Sequence, residues 1–150
     1  MEKRAVKRSV IVNATAAEVW KAITDPAMVK QYFFGTDVST DWKEGSPIIY
    51  SGMWKGKEYE DKGQVLKVEK EKRLEHTHWS SLSGMEDLPE NYFTVIYELE
   101  ERVNDTVLTI TQVGLMSANS YEHSAQNWET VLQQLKALVE KEVFATQVVS

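Results

Sequence analysis

Between residues 36 and 113 the apolar side chains recur at every second position, broken only by short turn signals. That period belongs to strands with one buried face, and it constrains the chain more than any other feature. Residues 36–40, 47–54, 58–69, 73–80, 92–101 and 106–113 read as successive strands. Most of the connections between them, such as Lys43-Glu44-Gly45-Ser46, Lys55-Gly56-Lys57 and Val103-Asn104-Asp105, are too short for a crossover. Neighbouring strands must therefore pair antiparallel. Residues 4–12 alternate in the same way, with Val6, Val10 and Val12 on one face, and add a strand at the start.

Two short helices fit between that first strand and the rest. Thr15-Ala16-Ala17-Glu18 is a capping box, in which a hydroxyl and a carboxylate satisfy free N–H groups reciprocally. Val19, Trp20 and Ile23 follow at helical spacing. Asp25-Pro26 then opens a second helix, an N-cap before the residue whose fixed φ suits a first turn; Gly35 ends it. The last segment is the most periodic. Tyr121, Ala125, Trp128, Val131, Leu132, Leu135, Leu138 and Val139 share one face, and Glu122, Gln126, Glu129, Gln133, Lys136 and Glu140 the other. A helix over 119–142 capped by Asn119 is expected. The order is strand, two short helices, six strands, one long helix. An antiparallel sheet with its apolar face covered by helix is the α+β solution.

Composition narrows the function classes. The 150 residues suit one domain, 1–150, with no repeat or linker to divide it. A net charge of −6 argues against nucleic acid as a partner. Zero Cys removes disulfides, thiolate metal sites and Cys nucleophiles. Four basic residues lie within the first eight, but the apolar run Val10-Ile11-Val12 is too short for a signal peptide. No stretch is long enough for a membrane span, so a cytoplasmic location is expected, and the sequons at Asn13 and Asn104 are chance matches. Five Trp in one small chain call for a large core or a cavity.

The residues Ala14-Thr15-Ala16-Ala17-Glu18-Val19-Trp20-Lys21-Ala22-Ile23-Thr24-Asp25-Pro26 carry a resemblance to a known family. Gly63-Gln64-Val65, Arg73-Leu74, the run Asp105 to Gln112, and Asn127-Trp128-Glu129 with Leu132 follow in the family's order. The chain resembles the single-domain proteins similar to the activator of the heat-shock protein 90 ATPase, in the START/SRPBCC (Bet v 1-like) superfamily. The resemblance implies a helix-grip fold: a seven-stranded curved antiparallel sheet wrapped around a long C-terminal helix, with a cavity on the concave side. It also implies a chaperone or another protein as a partner. In the co-chaperone, such a domain follows one that stimulates the ATPase. Here only Met1 to Lys3 precede the first strand, so ATPase activation is not expected.

Candidate cavity-lining residues follow from facing. His76 and His78 point to one side of a strand with Leu74, as a polar hook for a carboxylate or carbonyl; in the family's pattern, His78 stands where a Trp is usual. Trp128, Leu132 and Leu135 present the long helix to the sheet. Tyr50 and Trp54 share a face, as do Phe93 and Tyr97, and Gln112 is a polar point on an apolar face. For each, ordinary core packing or solvation is the competing reading. Two His alone do not make a zinc site, so no metal and no cofactor is assigned. The acidic run Glu58-Tyr59-Glu60-Asp61 reads as a solvated hairpin surface, and residues 81–91 as a long loop, either a lid or a solvated connection.

Nucleophile elbow, Walker loop, dinucleotide fingerprint and His-Glu-x-x-His are all missing, so no catalytic residue is assigned. Three functions stay open. They are non-enzymatic binding of a small, mostly apolar, lipid-like or aromatic molecule; a protein-interaction module; and a small cyclase- or dehydratase-like enzyme. The first is preferred.

Overall fold

The computed structural model describes residues 1–149. The chain opens with β1 (Glu2–Val12), followed by α1 (Ala16–Thr24) and α2 (Pro26–Tyr32). Six strands come next: β2 (Asp37–Ser39), β3 (Pro47–Trp54), β4 (Lys57–Glu69), β5 (Arg73–His78), β6 (Phe93–Glu101) and β7 (Thr106–Met116). Helix α3 (Ala118–Val149) completes it. All seven strands form one antiparallel sheet in the order β1-β7-β6-β5-β4-β3-β2. The architecture is the expected helix-grip, with the buried face of the sheet turned toward α3.

Local signals explain the short helices. The Thr15 hydroxyl accepts the Glu18 N–H at 3.2 Å, and the Glu18 carboxylate accepts the Thr15 N–H at 3.0 Å. Asp25 caps α2 through the Ala27 N–H at 2.9 Å. Helix α1 is tied to the far strands as well: Ala16 N–H donates to Glu101 at 2.7 Å, and the Thr106 hydroxyl to the Ala14 carbonyl at 2.8 Å. Helix α3 is clamped to the end of β1, where Lys136 donates to the Ile11 carbonyl and Glu140 accepts the Asn13 N–H.

Several boundaries differ from expectation. Helix α3 is capped by Ser117, whose hydroxyl accepts the Ser120 N–H, rather than by Asn119. It also runs past Glu142, since Val143 still packs on the core and no Gly or Pro stops it. Strand β7 continues to Met116 because its partner β1 starts two residues earlier, at Glu2. Strand β5 ends at His78, and beyond it only Trp79 bridges back to Lys62. The loop after it contains a 3-10 turn at Pro89–Asn91 and is held by ion pairing of Lys62 with Asp87 and by the Tyr92 hydroxyl on the same carboxylate.

Strands β4 and β5 run unusually close at Gly63. A Cβ there would lie 1.7 Å from the Thr77 carbonyl oxygen, so only glycine lets β4 and β5 approach this closely. Two residues on, the ladder slips between Val65 and Lys67. Gln64 N–H turns to the Thr77 hydroxyl at 2.8 Å. Among the described residues no helix is long and apolar enough to cross a membrane.

Candidate functional site

Five aromatic side chains from four elements and one helix end close a circuit inside the grip. Phe33, just past α2, stacks on Tyr50 of β3, with centroids 5.9 Å apart and planes inclined by 24°. Tyr50 meets His76 of β5 at 5.7 Å, and His76 stacks on Tyr97 of β6 at 6.0 Å. Tyr97 stands edge-on to Trp128 of α3 at 6.4 Å, and Trp128 returns edge-on to Phe33 at 5.9 Å. Tyr50, His76, Tyr97 and Trp128 are buried, while Phe33 is half-buried. Stacked and edge-on pairs at such separations are the favoured geometries for π-systems.

A hydrogen-bond chain runs along one side of this circuit. His76 Nδ1–H donates to the Thr77 carbonyl at 2.8 Å, the carbonyl packed against Gly63, which leaves Nε2 as an acceptor. The Tyr50 hydroxyl stands 3.5 Å from that nitrogen and also bonds the Tyr97 hydroxyl. Burial pushes the His76 imidazolium down to a pKa of about 4, only partly offset by the Thr77 bond, so His76 is neutral at pH 7. Burial likewise raises both phenols above their usual range. On the opposite side Gln112 Oε1 accepts Trp128 Nε1–H at 2.6 Å. Every fully buried side-chain N or O among the described residues has a partner.

Next to the circuit a histidine meets a carboxylate. His78 Nε2 is 3.2 Å from Asp61 Oδ2, with both side chains largely covered, and its ring is 5.7 Å from that of Tyr50. The Ser81 N–H donates to the other carboxylate oxygen, linking the start of the long loop to the site. Here the expectation of a solvated acidic hairpin is corrected. Asp61 sits opposite Tyr50 in the β3–β4 register and Tyr59 opposite Gly52, so both turn inward, and Tyr59 shares a hydrogen bond with the buried Thr36. The alternation Tyr59, Asp61, Gly63 against Tyr50 was the available signal.

The other candidates are spread along the same face. Leu132 and Leu135 are wholly buried on α3. Phe93 pairs with His78 and lies over Gly114, where a Cβ would come within 2.4 Å of its ring. Trp54 is not brought into the buried cluster, contrary to expectation. It is the last residue of β3, paired with Lys57 at the hairpin turn, and is 50% exposed, edge-to-face with Phe34 and with Lys55 over its face. Phe33 and Asp61 are the residues that sequence reasoning missed. Two surface clefts, of about 450 and 390 Å3, lie elsewhere, one beside Lys62, Thr77 and Tyr92, the other beside Thr15, Asn104 and Gln147. No group of three His, Asp or Glu side chains among the described residues is placed to hold a metal ion.

The model of the Activator of Hsp90 ATPase homolog 1-like family matches residues 13–140. The chain belongs to this family. The solution structure of the protein ChR145 from Cytophaga hutchinsonii is 40% identical, with 95% of this chain and 99% of that one covered at a TM-score of 0.81. Two more distant structures share the fold. The Aha1 dimer from Colwellia psychrerythraea is 19% identical over 91% of this chain and 96% of that one, at a TM-score of 0.72. Ara h 8.0201 is 8% identical over 92% and 98%, also at 0.72. Both of these likenesses are of fold, the helix-grip described above. No curated protein matches the chain.

Proposed function

We propose that this family member binds a small, mostly apolar molecule between the curved sheet and α3, without transforming it. The observation that carries the reading is the five-ring circuit, which puts adaptable aromatic surface and a few neutral hydrogen-bonding atoms at one point of the concave face. Tyr50, His76, Tyr97, Gln112 and Trp128 form its floor; His78 and Phe93 flank it; Leu132 and Leu135 continue the apolar wall. Phe34 and Trp54, each partly exposed and edge-to-face with one another, mark the side on which a molecule enters. Binding gains come from buried apolar area, at roughly 25 cal/mol per Å2, with a phenol or imidazole fixing orientation.

The test is native mass spectrometry of the protein isolated gently from its own host, comparing intact with denatured mass. Extra mass lost on denaturation supports the reading and identifies the molecule. A bare protein that also stays bare with lipids, flavonoids and polyketides overturns it. In a folded Trp128→Ala variant apolar binding should weaken, whereas Glu129→Ala, on the exposed neighbouring position, should leave it unchanged. A second reading, docking to a chaperone or other protein, draws on the exposed Phe34, Met53 and Trp54 and on the dimeric Colwellia relative.

A further inference from the structure

We infer that the free edge of β1 docks an extended acidic segment of a partner protein, which joins the seven-stranded sheet as one more strand. This edge is separate from the ring circuit, and the inference is independent of the binding reading above. Four of the first eight residues, Lys3, Arg4, Lys7 and Arg8, are cations in a chain whose net charge is −6, and the ring circuit uses none of them. Strand β1 gathers them along one line. Val6 and Val10 are buried, so Arg4 and Arg8 lie on the core side of the strand and Lys3 and Lys7 on the outer side. Among the described residues no carboxylate pairs with Lys3, Lys7 or Arg8, and Arg4 meets only Glu2, at 3.7 Å.

The two edges of the sheet differ. Strand β2 is three residues long, and so short an edge offers little to pair with. Strand β1 is eleven residues long and has β7 on one side only. Three bonds show which of its backbone groups face the open side. The Lys7 carbonyl accepts Arg8 Nη1–H at 2.8 Å, the Ile11 carbonyl accepts Lys136 Nζ at 2.7 Å, and the Asn13 N–H donates to Glu140 at 2.8 Å. Outward groups recur at every second residue of a strand, so Lys3, Ala5, Lys7 and Ser9 turn both N–H and carbonyl to the open side. The Ser9 and Thr109 hydroxyls, 2.8 Å apart, agree with this, because side chains come closest at pairs that are not bonded across the ladder. Helix α3 closes the edge at Ile11 and Asn13; among the described residues none of its side chains bonds β1 between Glu2 and Val10. The open stretch from Lys3 to Ser9 takes about seven extended residues, at roughly 3.3 Å each.

Charge selects the occupant. Pairing β1 antiparallel with a second copy of itself about Val6 would set Arg4 against Arg8 and Ala5 against Lys7, which sets cation against cation. A flat anionic membrane would reach the cations of one face and leave the outward backbone groups unused. An extended segment with carboxylates on both of its faces meets Lys3 and Lys7 on one side and Arg4 and Arg8 on the other. As it docks, Arg8 gives up the Lys7 carbonyl to an incoming N–H and turns to a carboxylate. Backbone bonds then supply affinity, and the four cations select the segment.

The test titrates wild type with the capped peptide Thr-Glu-Glu-Val-Glu-Glu-Thr, with its counterpart in which every Glu is Gln, and with an acidic form N-methylated throughout, by NMR and calorimetry. The acidic peptide should shift the amides of Lys3, Ala5, Lys7 and Ser9 most and slow their hydrogen exchange at least tenfold at saturation. The Gln and N-methylated peptides should each bind at least tenfold more weakly. Ala5→Pro removes one outward N–H and no charge while sparing the ladder to β7, and should weaken the acidic peptide at least fivefold. The Lys7→Glu, Arg8→Glu double variant should weaken it at least tenfold. The three-peptide comparison on wild type stands even if neither variant folds. Equal binding of the Gln or N-methylated peptide, shifts centred away from β1, or no binding of the acidic peptide overturns the inference. Binding to phosphatidylserine vesicles without binding to the peptide also overturns it, in favour of a membrane surface.

Discussion

Where the sheet is made of β1 and β7 its inner face is mostly aliphatic, with Val6, Val10, Val12, Leu108 and Ile110 all nearly or wholly buried. Where it is made of β3, β4 and β5 the same face carries Tyr50, Asp61, His76 and His78. The two halves lie under one helix and share one continuous core. Aliphatic residues pack without needing partners, and on this half Gln112 is the polar exception that reaches the candidate site. The polar groups of the second half are matched, His76 by Thr77 and His78 by Asp61. Burying them costs desolvation that valine or leucine would avoid. A core selected only to hold the fold would not need them, and that contrast is why we propose the β3–β5 end as the site.

The contrast can be broken from either side. Leu108→Ala, at the aliphatic end, should cost about 2–5 kcal/mol in urea unfolding. It should leave the affinity for an apolar ligand of the site within about twofold; a large loss of binding in the folded variant would erase the distinction between the halves.

The aromatic end should show its cost in acid. His76 titrates at about 4 in the fold and near 6.5 when unfolded, so the unfolded chain binds the extra proton first as pH falls. Its stabilising contribution is complete above pH 6.5 and is lost progressively down to pH 4, a total of about 3 kcal/mol at roughly 1.4 kcal/mol per unit. Urea midpoints of wild type and His76→Gln, measured from pH 7.5 to 4.5, should converge as the pH drops. Parallel curves would show that His76 is not held neutral.

Gly63→Ala tests how the two ends are joined. The added Cβ would force β4 from β5 beside the carbonyl that orients His76, costing about 1–3 kcal/mol. It should also shift the His76 ring resonances. Smallest of all, Glu129→Ala should change stability by less than about 0.5 kcal/mol, since it is exposed.

Much of the fold was legible because local rules carry it. The capping box at Thr15 and Glu18 forms both bonds, and Asp25-Pro26 starts α2 as expected. Strand β3 has the expected bounds, and the apolar stripe of α3 faces the sheet. The site was half legible. Period two placed Tyr50, His76, Tyr97 and Gln112 on the inner face, and period 3.6 brought Trp128 to meet them. The same rule misplaced Trp54, because facing says nothing of how far along a strand the covering helix reaches. It hid Asp61 too, where a run of charges outweighed the alternation beneath it.

By itself, then, the sequence determined the strands, the helices, their faces and the antiparallel order, since each depends on neighbours a few residues apart. Only the tertiary structure decided which of Phe33 and Phe34 enters the core, that Asp61 finds His78, and that five rings from distant segments close on one another. Those outcomes depend on the close approach of β4 and β5 at Gly63 and on the register between strands, where residues far apart in the chain compete for the same space.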